Sequence, residues 1–189
     1  MDQFEGKPLN SPHDICVRSD DTIWFSDPPL GILSNYQGNV SPIELPSNIY
    51  RLDPKTGRAT VVESALTRPN GVEFSPDETK CYIQDSGSSP RYIYAYDVVD
   101  NGARLANKRV LITAEADGTP DGFRIDMDGN LWCGWGMAAP NLMASRCSIP
   151  KASQSASSRC RSAAPIYASV AASGTGCSWR RAIRSMRCI

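Results

Sequence analysis

Three polar residues occupy equivalent positions in three similar stretches of this 189-residue chain, namely His13, Asn70 and Asp121. Each directly follows a proline and is itself followed by aspartate or glycine. Oxygen atoms of Asn and Asp side chains are ligands that Ca²⁺ and Mg²⁺ prefer; they also admit Mn²⁺, and Zn²⁺ is a further alternative. A bound divalent cation polarises a carbonyl group and lowers the pKa of a bound water, which a nearby carboxylate can deprotonate as general base. If the three stretches converge in space, they favour a cation site with hydrolytic chemistry.

Purely structural interpretations of these residues stay open beside the chemical one. Asn70 and Asp121 each precede glycine, and Asn-Gly and Asp-Gly are good turn dipeptides. Pro69 sets φ for a tight turn that Asn-Gly would close with a positive φ. A lone histidine such as His13 is more often a hydrogen-bonded structural residue than a ligand. Asp14, which adjoins His13, is interpreted as a turn or cap carboxylate at the same end of its strand.

Residues around these positions also have structural interpretations. Asp27 is expected to act as a turn or cap carboxylate. Glu73 and Arg124 alternate with the apolar residues of their strands, which favours a solvated position. Trp24 and Trp132 are expected in the core of their blades.

The elements that must position these residues repeat along the chain. In each copy the proline is followed by a short alternating strand, then by an aspartate eight residues after the proline, and then by another apolar strand. These aspartates, Asp20, Asp77 and Asp128, are interpreted as hairpin-turn residues because they recur with the fold. The prolines are 57 and 51 residues apart, and strand-rich repeats of about 40–50 residues are typical of β-propeller blades.

Each repeat has the content of one blade, about four short antiparallel strands, and no convincing amphipathic helix precedes Ala144. The first strand of a propeller blade lines the central channel, so residues at the mouths of these strands converge on one axis. The sequence therefore predicts an all-β, incomplete β-propeller of about three blades with His13, Asn70 and Asp121 around its channel.

Composition narrows the function classes. The formal net charge is zero, which gives no argument for nucleic acid or an anionic membrane as partner. No run of 18 apolar residues predicts a transmembrane helix, and the acidic start, Met1–Glu5, is not typical of a signal peptide. The seven cysteines show no metal-ligand spacing. These features favour a cytoplasmic protein with free thiols.

A break in composition near Ala144 predicts two segments. Residues 1–144 are expected to form the partial propeller. Residues 145–189 contain seven arginines and one lysine but no acidic residue, and they are rich in Ser and Ala. This segment is expected to be an irregular, disordered tail. An alternative hypothesis is that it is an out-of-frame reading, because a shifted frame permits strings typical of a further blade.

Several runs of the sequence carry a more specific signal. These runs are 10–14, 24–29, 68–71 with 75–77, and 120–122 with 128–132. In order and spacing, from about Phe4 to Gly136, they resemble the SMP-30/gluconolactonase/LRE-like family. The resemblance implies a six-bladed β-propeller with one divalent metal in its channel, and hydrolysis of sugar-acid lactones and related esters. It further implies that Asn70 and Asp121 are metal ligands, that Asp121 is also the catalytic base, and that His13 and Asp14 face the substrate.

Three departures from the family pattern matter. The family usually has Asn at the position of His13, which bears on substrate preference. Its metal-binding Glu belongs to a first blade for which this chain has no counterpart, since Glu5 is not in that motif. The family's final segment is replaced from Ser145 onward.

These observations together define the expected function. We expect metal-dependent, gluconolactonase-like hydrolysis of a small-molecule lactone, with Ca²⁺ the favoured ion and with activity impaired by the missing charged ligand. No nucleic-acid or membrane partner is indicated, and the sequence leaves the oligomeric state open. The alternatives are a non-catalytic propeller that serves as a binding scaffold and a nonfunctional gene remnant.

Overall fold

Short β-strands make up nearly all of the regular structure in the part of the chain that the computed structural model describes, residues 1–114, 118–135 and 146–148. Two short 3₁₀ helices, Pro29–Ile32 and Asp100–Gly102, accompany them. The strands are β1 (Gln3–Phe4), β2 (Lys7–Pro8), β3 (Ile15–Val17), β4 (Ile23–Asp27), β5 (Asn48–Asp53), β6 (Arg58–Glu63), β7 (Pro69–Phe74), β8 (Lys80–Asp85), β9 (Tyr92–Val99), β10 (Arg104–Thr113), β11 (Pro120–Ile125), β12 (Leu131–Trp135) and β13 (Arg146–Ser148).

The strands form three successive antiparallel sheets after an N-terminal β1-β2 hairpin. The first sheet has the order β3-β4-β5-β6, the second the order β7-β8-β9-β10, and the third the order β11-β12-β13. Each sheet is thus a simple up-and-down meander, which is the construction of a propeller blade. The predicted all-β, incomplete propeller is confirmed, with two four-stranded blades and three described strands of a third.

Two apolar clusters join the sheets face to face. Between the first and second sheets, Trp24 is fully buried and meets Phe74 edge-on, with ring centroids 5.0 Å apart. Between the second and third sheets, Phe123 and Leu131 pack with Tyr82. The prediction of Trp24 as a core residue is confirmed. Trp132 is only half-buried, which differs from the expected core position, and its indole N–H donates to Asp126 near the hairpin turn.

The predicted tight turn at Asn70 is wrong. Residues Pro69–Phe74 form the strand β7, and neither Asn70 nor Gly71 has a positive φ. The pairing of β7 with β8 instead shifts register between Pro69 and Val72. Asn-Gly here belongs to a β-bulge, where the missing side chain of glycine allows a close approach by the next sheet.

The predicted hairpin aspartates lie at their turns. The carboxylates of Asp20 and Asp77 each accept the backbone N–H two residues ahead, at 3.0 and 3.1 Å. In the third repeat Asp128 occupies the turn, but the accepting carboxylate is that of Asp126. The turn chemistry is therefore conserved between repeats with a shift of position in the third.

The described part of the tail is the strand β13, which pairs with β12. The rest of the predicted irregular tail, Ser145 and residues 149–189, lies outside the described residues, and the boundary at Ala144 stays a prediction. Cys16, Cys81 and Cys133 are free and buried. No helix among the described residues is long and apolar enough to cross a membrane.

Candidate metal and substrate site

The edge strands β3, β7 and β11, called the inner strands below, bring the three predicted site positions to one end of the molecule. Strand β7 contacts both β3 and β11. The Ser26 hydroxyl, on β4, accepts the Asp14 N–H at 3.1 Å and donates to the Asn70 carbonyl at 2.6 Å. On the other side, a methyl group added at Gly71 would lie 3.3 Å from the Asp121 carbonyl oxygen. The backbone at Asn70 is therefore held between the segment of Asp14, which directly precedes β3, and the strand β11, which carries Asp121.

Asn70 presents an unpaired oxygen. The residue is 5% exposed, and its side-chain Oδ1 is buried without a hydrogen-bond partner among the described residues. Burying an amide oxygen without a partner costs free energy, on the order of 1–3 kcal/mol. Such a carbonyl oxygen is the kind of group that a hard cation binds.

Asp121 and His13 are exposed, in contrast to Asn70. The His13 backbone N–H donates to the Ser26 carbonyl at 2.9 Å, which fixes the strand but leaves the imidazole in solvent. The Asp121 carbonyl lies 3.7 Å from the Cys133 thiol, while its carboxylate has no described hydrogen bond. Both side chains are accordingly available to a ligand.

Asp14 is buried, and both of its carboxylate oxygens accept hydrogen bonds. Its Oδ1 accepts the Ile15 N–H at 3.0 Å, and its Oδ2 accepts the Val72 N–H at 3.2 Å. The guanidinium of Arg124 adds two further bonds, of 3.2 and 3.3 Å, one to each oxygen. Arg124 Nε also lies 3.6 Å from Glu73 Oε2. Asp14, Glu73 and Arg124 are called the ion cluster below.

The ion cluster corrects the expectation that Glu73 and Arg124 are simply solvated. The Glu73 side chain is 21% exposed and that of Arg124 is 51% exposed, and each is paired. Burial raises the pKa of Glu73, with the Arg124 charge opposing the shift. Burial alone would lower the pKa of Arg124, but its hydrogen bonds to Asp14 raise it.

Asp27 and Asp85 form a second pair of aspartates, and the sequence predicted only Asp27 as a turn or cap carboxylate. Asp27, fully buried, accepts the N–H groups of Asn10 and Ser11 at 2.9 and 2.8 Å, as expected of a cap, and burial raises its pKa. Asp85 makes the same pair of contacts with Thr67 and Arg68 at 3.1 and 2.9 Å. Each aspartate ends the second strand of its blade and anchors the segment that leads into the inner strand. The sequence carried a signal for Asp85, because Asp27 and Asp85 lie 15 and 16 residues after the prolines Pro12 and Pro69 of their repeats.

The donor set fits a hard divalent cation in part. Asn70 Oδ1 is a buried oxygen without a partner, and the Asp121 carboxylate would add a charged oxygen ligand. In the described part of the chain, no group of three or more His, Cys, Asp or Glu side chains could hold a metal ion. Since Ca²⁺ takes six to eight oxygen ligands, two protein donors make an incomplete coordination sphere.

The three sheets, and the polar residues at the shared end of their inner strands, define an incomplete β-propeller with a candidate site at that end. The model of the SMP-30/gluconolactonase/LRE-like region matches residues 1–142. The chain belongs to this family.

Relatives with known names agree with this assignment. A gluconolactonase of Zymomonas mobilis is 34% identical over 140 residues, which cover 70% of this chain and 38% of the relative. A pentonolactonase of Haloferax volcanii is 36% identical over 84 residues, covering 44% of this chain and 28% of the relative. The solved structure of a Xanthomonas campestris gluconolactonase matches with a TM-score of 0.69 and 33% identity, over 79% of this chain and 47% of that one. The chain thus spans less than half the length of each.

Proposed function

We propose that this chain carries part of the active site of a metal-dependent hydrolase of sugar-acid lactones. The unpaired, buried Oδ1 of Asn70 carries the proposal, because it lies on an inner strand whose neighbour carries Asp121. The names of the Zymomonas mobilis and Haloferax volcanii relatives support a lactone as the substrate class.

Each site residue has a role in this proposal. Asn70 Oδ1 and the Asp121 carboxylate would hold the cation, with Ca²⁺ favoured by their oxygen chemistry and Mn²⁺, Mg²⁺ or Zn²⁺ as alternatives. When bound, the cation would polarise the lactone carbonyl and lower the pKa of a water molecule. His13, which is exposed, would contact the substrate hydroxyls, and Asp14 follows it in the segment that leads into β3.

Asp121 also serves as the general base. It accepts a proton as the water oxygen bonds to the lactone carbonyl carbon. The bond from that carbon to the ring oxygen then breaks, and the proton passes to the ring oxygen, which leaves as a hydroxyl group. The product is the open-chain sugar acid.

The site on this chain alone is incomplete, so we expect weak binding and little or no hydrolysis. Titration calorimetry with CaCl₂ should give a dissociation constant far weaker than micromolar, on the order of a millimolar. A gluconolactone assay should show a rate near that of the uncatalysed reaction. Micromolar affinity with turnover would contradict the incomplete-site interpretation.

The catalytic proposal itself is tested in a full-length relative. In the Zymomonas mobilis gluconolactonase, we expect alanine at the position aligned with Asn70 or Asp121 to lower metal affinity and hydrolysis together, by about a hundredfold or more. Alanine at the position aligned with the turn residue Asp128 is the control and should change neither. If both site variants keep metal and activity, Asn70 and Asp121 do not form the hydrolytic site, and the alternative that these positions of the present chain are only structural is favoured.

A further inference from the structure

The ion cluster links side chains of two inner strands with the residue that directly precedes the third. Glu73 lies on β7, Arg124 lies on β11, and Asp14 directly precedes β3. Arg124 reaches 110 residues back along the chain to make two hydrogen bonds to Asp14, of 3.2 and 3.3 Å. Its Nε lies 3.6 Å from Glu73. One guanidinium therefore connects the edges of three separate sheets.

The ion cluster lies one to three residues beyond His13, Asn70 and Asp121, which are called the mouth residues below. Asp14 comes one residue after His13, Glu73 comes three residues after Asn70, and Arg124 comes three residues after Asp121. Any shift of one inner strand against another that changes the cluster must also change the spacing of the three mouth residues.

An arginine can join two carboxylates in a way that a lysine cannot. Its planar fork can give parallel hydrogen bonds to both oxygens of one carboxylate while a further nitrogen faces another, whereas an ammonium group is a point charge. Asp14 completes the connection, because its Oδ2 also accepts the Val72 N–H of β7. A second contact joins β7 and β11 beside the cluster. Phe123, next to Arg124, approaches Gly71 so closely that a methyl group at Gly71 would lie 2.7 Å from the Phe123 ring.

We propose that Arg124 is a positioning residue of the candidate site, which fixes the spacing of Asn70 and Asp121 by joining Asp14 and Glu73. The inference rests on the proposed function for its consequence in metal binding, but the spacing of the strands is measurable without metal. In this proposal Asp14 supports the substrate site through its contacts with the inner strands, because both of its carboxylate oxygens already accept hydrogen bonds.

The test compares three variants of this chain. Arg124→Met removes the charge and the fork, and Arg124→Lys keeps only the charge. Arg104→Met is the matched control, because Arg104 pairs with Asp100 at 2.7 Å on the exposed surface. Two NMR signals report the strand spacing: the nuclear Overhauser contact between Gly71 and the Phe123 ring, and the hydrogen-exchange rate of the Val72 amide.

We expect Arg124→Met to weaken the Gly71–Phe123 contact and to speed Val72 exchange about tenfold, and Arg124→Lys to give intermediate values. Calcium affinity should fall about tenfold in Arg124→Met, as is usual when a supporting partner of a ligand is lost. Arg104→Met should match the wild type in every measurement.

Wild-type values of the Gly71–Phe123 contact and of Val72 exchange in Arg124→Met would overturn the inference. If that variant does not fold, wild-type values in Arg124→Lys would overturn it instead. A wild-type chain that binds no calcium would count against the proposed function, while the two strand signals would still decide whether Arg124 positions the site.

Discussion

At the scale of single residues, Glu73 shows how burial and pairing compete inside the ion cluster. Burial raises its pKa above the ordinary value of 4.5, although the Arg124 charge favours the ionised form. The folded chain therefore binds this proton more tightly than the unfolded chain does. For such a group, stability falls as pH rises from the unfolded-state pKa through the folded-state pKa.

The direction of this pH dependence gives a prediction for Glu73→Gln, because glutamine resembles the protonated glutamate side chain. The free energy of unfolding of the variant, relative to the wild type, should increase as pH rises from about 4.5 across the folded-state pKa. Urea unfolding between pH 4 and 8 measures both curves. Glu44→Gln is the control, because Glu44 is exposed in a loop and should give a curve parallel to the wild type. Parallel curves for Glu73→Gln as well would contradict the role of burial.

The sequence was informative about some of these residues and not about others. His13, Asn70 and Asp121 could be aligned because each follows a proline at the start of a repeated strand. The cluster of Glu73 and Arg124 could not be predicted, because alternation tells which face of a strand a side chain takes. It does not tell which charge a neighbouring sheet, about 50 residues away, presents to that face.

At the scale of elements, the bulge in β7 determines how closely the second and third sheets approach. Asn-Gly predicts a turn from local propensity, but tertiary packing overrides that preference here. A methyl group at Gly71 would lie 2.7 Å from the Phe123 ring and 3.3 Å from the Asp121 carbonyl oxygen. Glycine is therefore required by the approach of β11 and not by backbone conformation.

Gly71→Ala should consequently push β11 away from β7. We expect a loss of about 1–3 kcal/mol in the free energy of unfolding, as is typical of overpacking, together with weaker metal binding. Gly122→Ala is the matched control, because nothing lies within 4 Å of a methyl group there and its φ is not positive. Equal stability of the two variants in urea unfolding would show that the close approach of β11 is not needed.

At the scale of the whole molecule, three sheets have similar construction, and the first strand of the second sheet contacts the first strands of the other two. The repeats alone predicted this architecture, because their period and strand content match propeller blades. The composition change near Ala144 lies close to residue 142, where the family match ends. The ion cluster and the bulge add what the repeat pattern does not contain, namely how tightly the blades meet at the mouth.

The central claim is that Asn70 and Asp121 hold the same cation. The direct measurement is a titration of the chain with MnCl₂, followed by NMR, since a bound paramagnetic ion broadens signals of nearby nuclei. We predict that the Asn70 side-chain amide and the Asp121 backbone amide broaden in parallel with one apparent dissociation constant. The turn residues Asp20 and Asp77 should stay sharp at the same concentrations. Broadening of only one of the two site residues, or broadening centred on the turn carboxylates, would contradict a shared site.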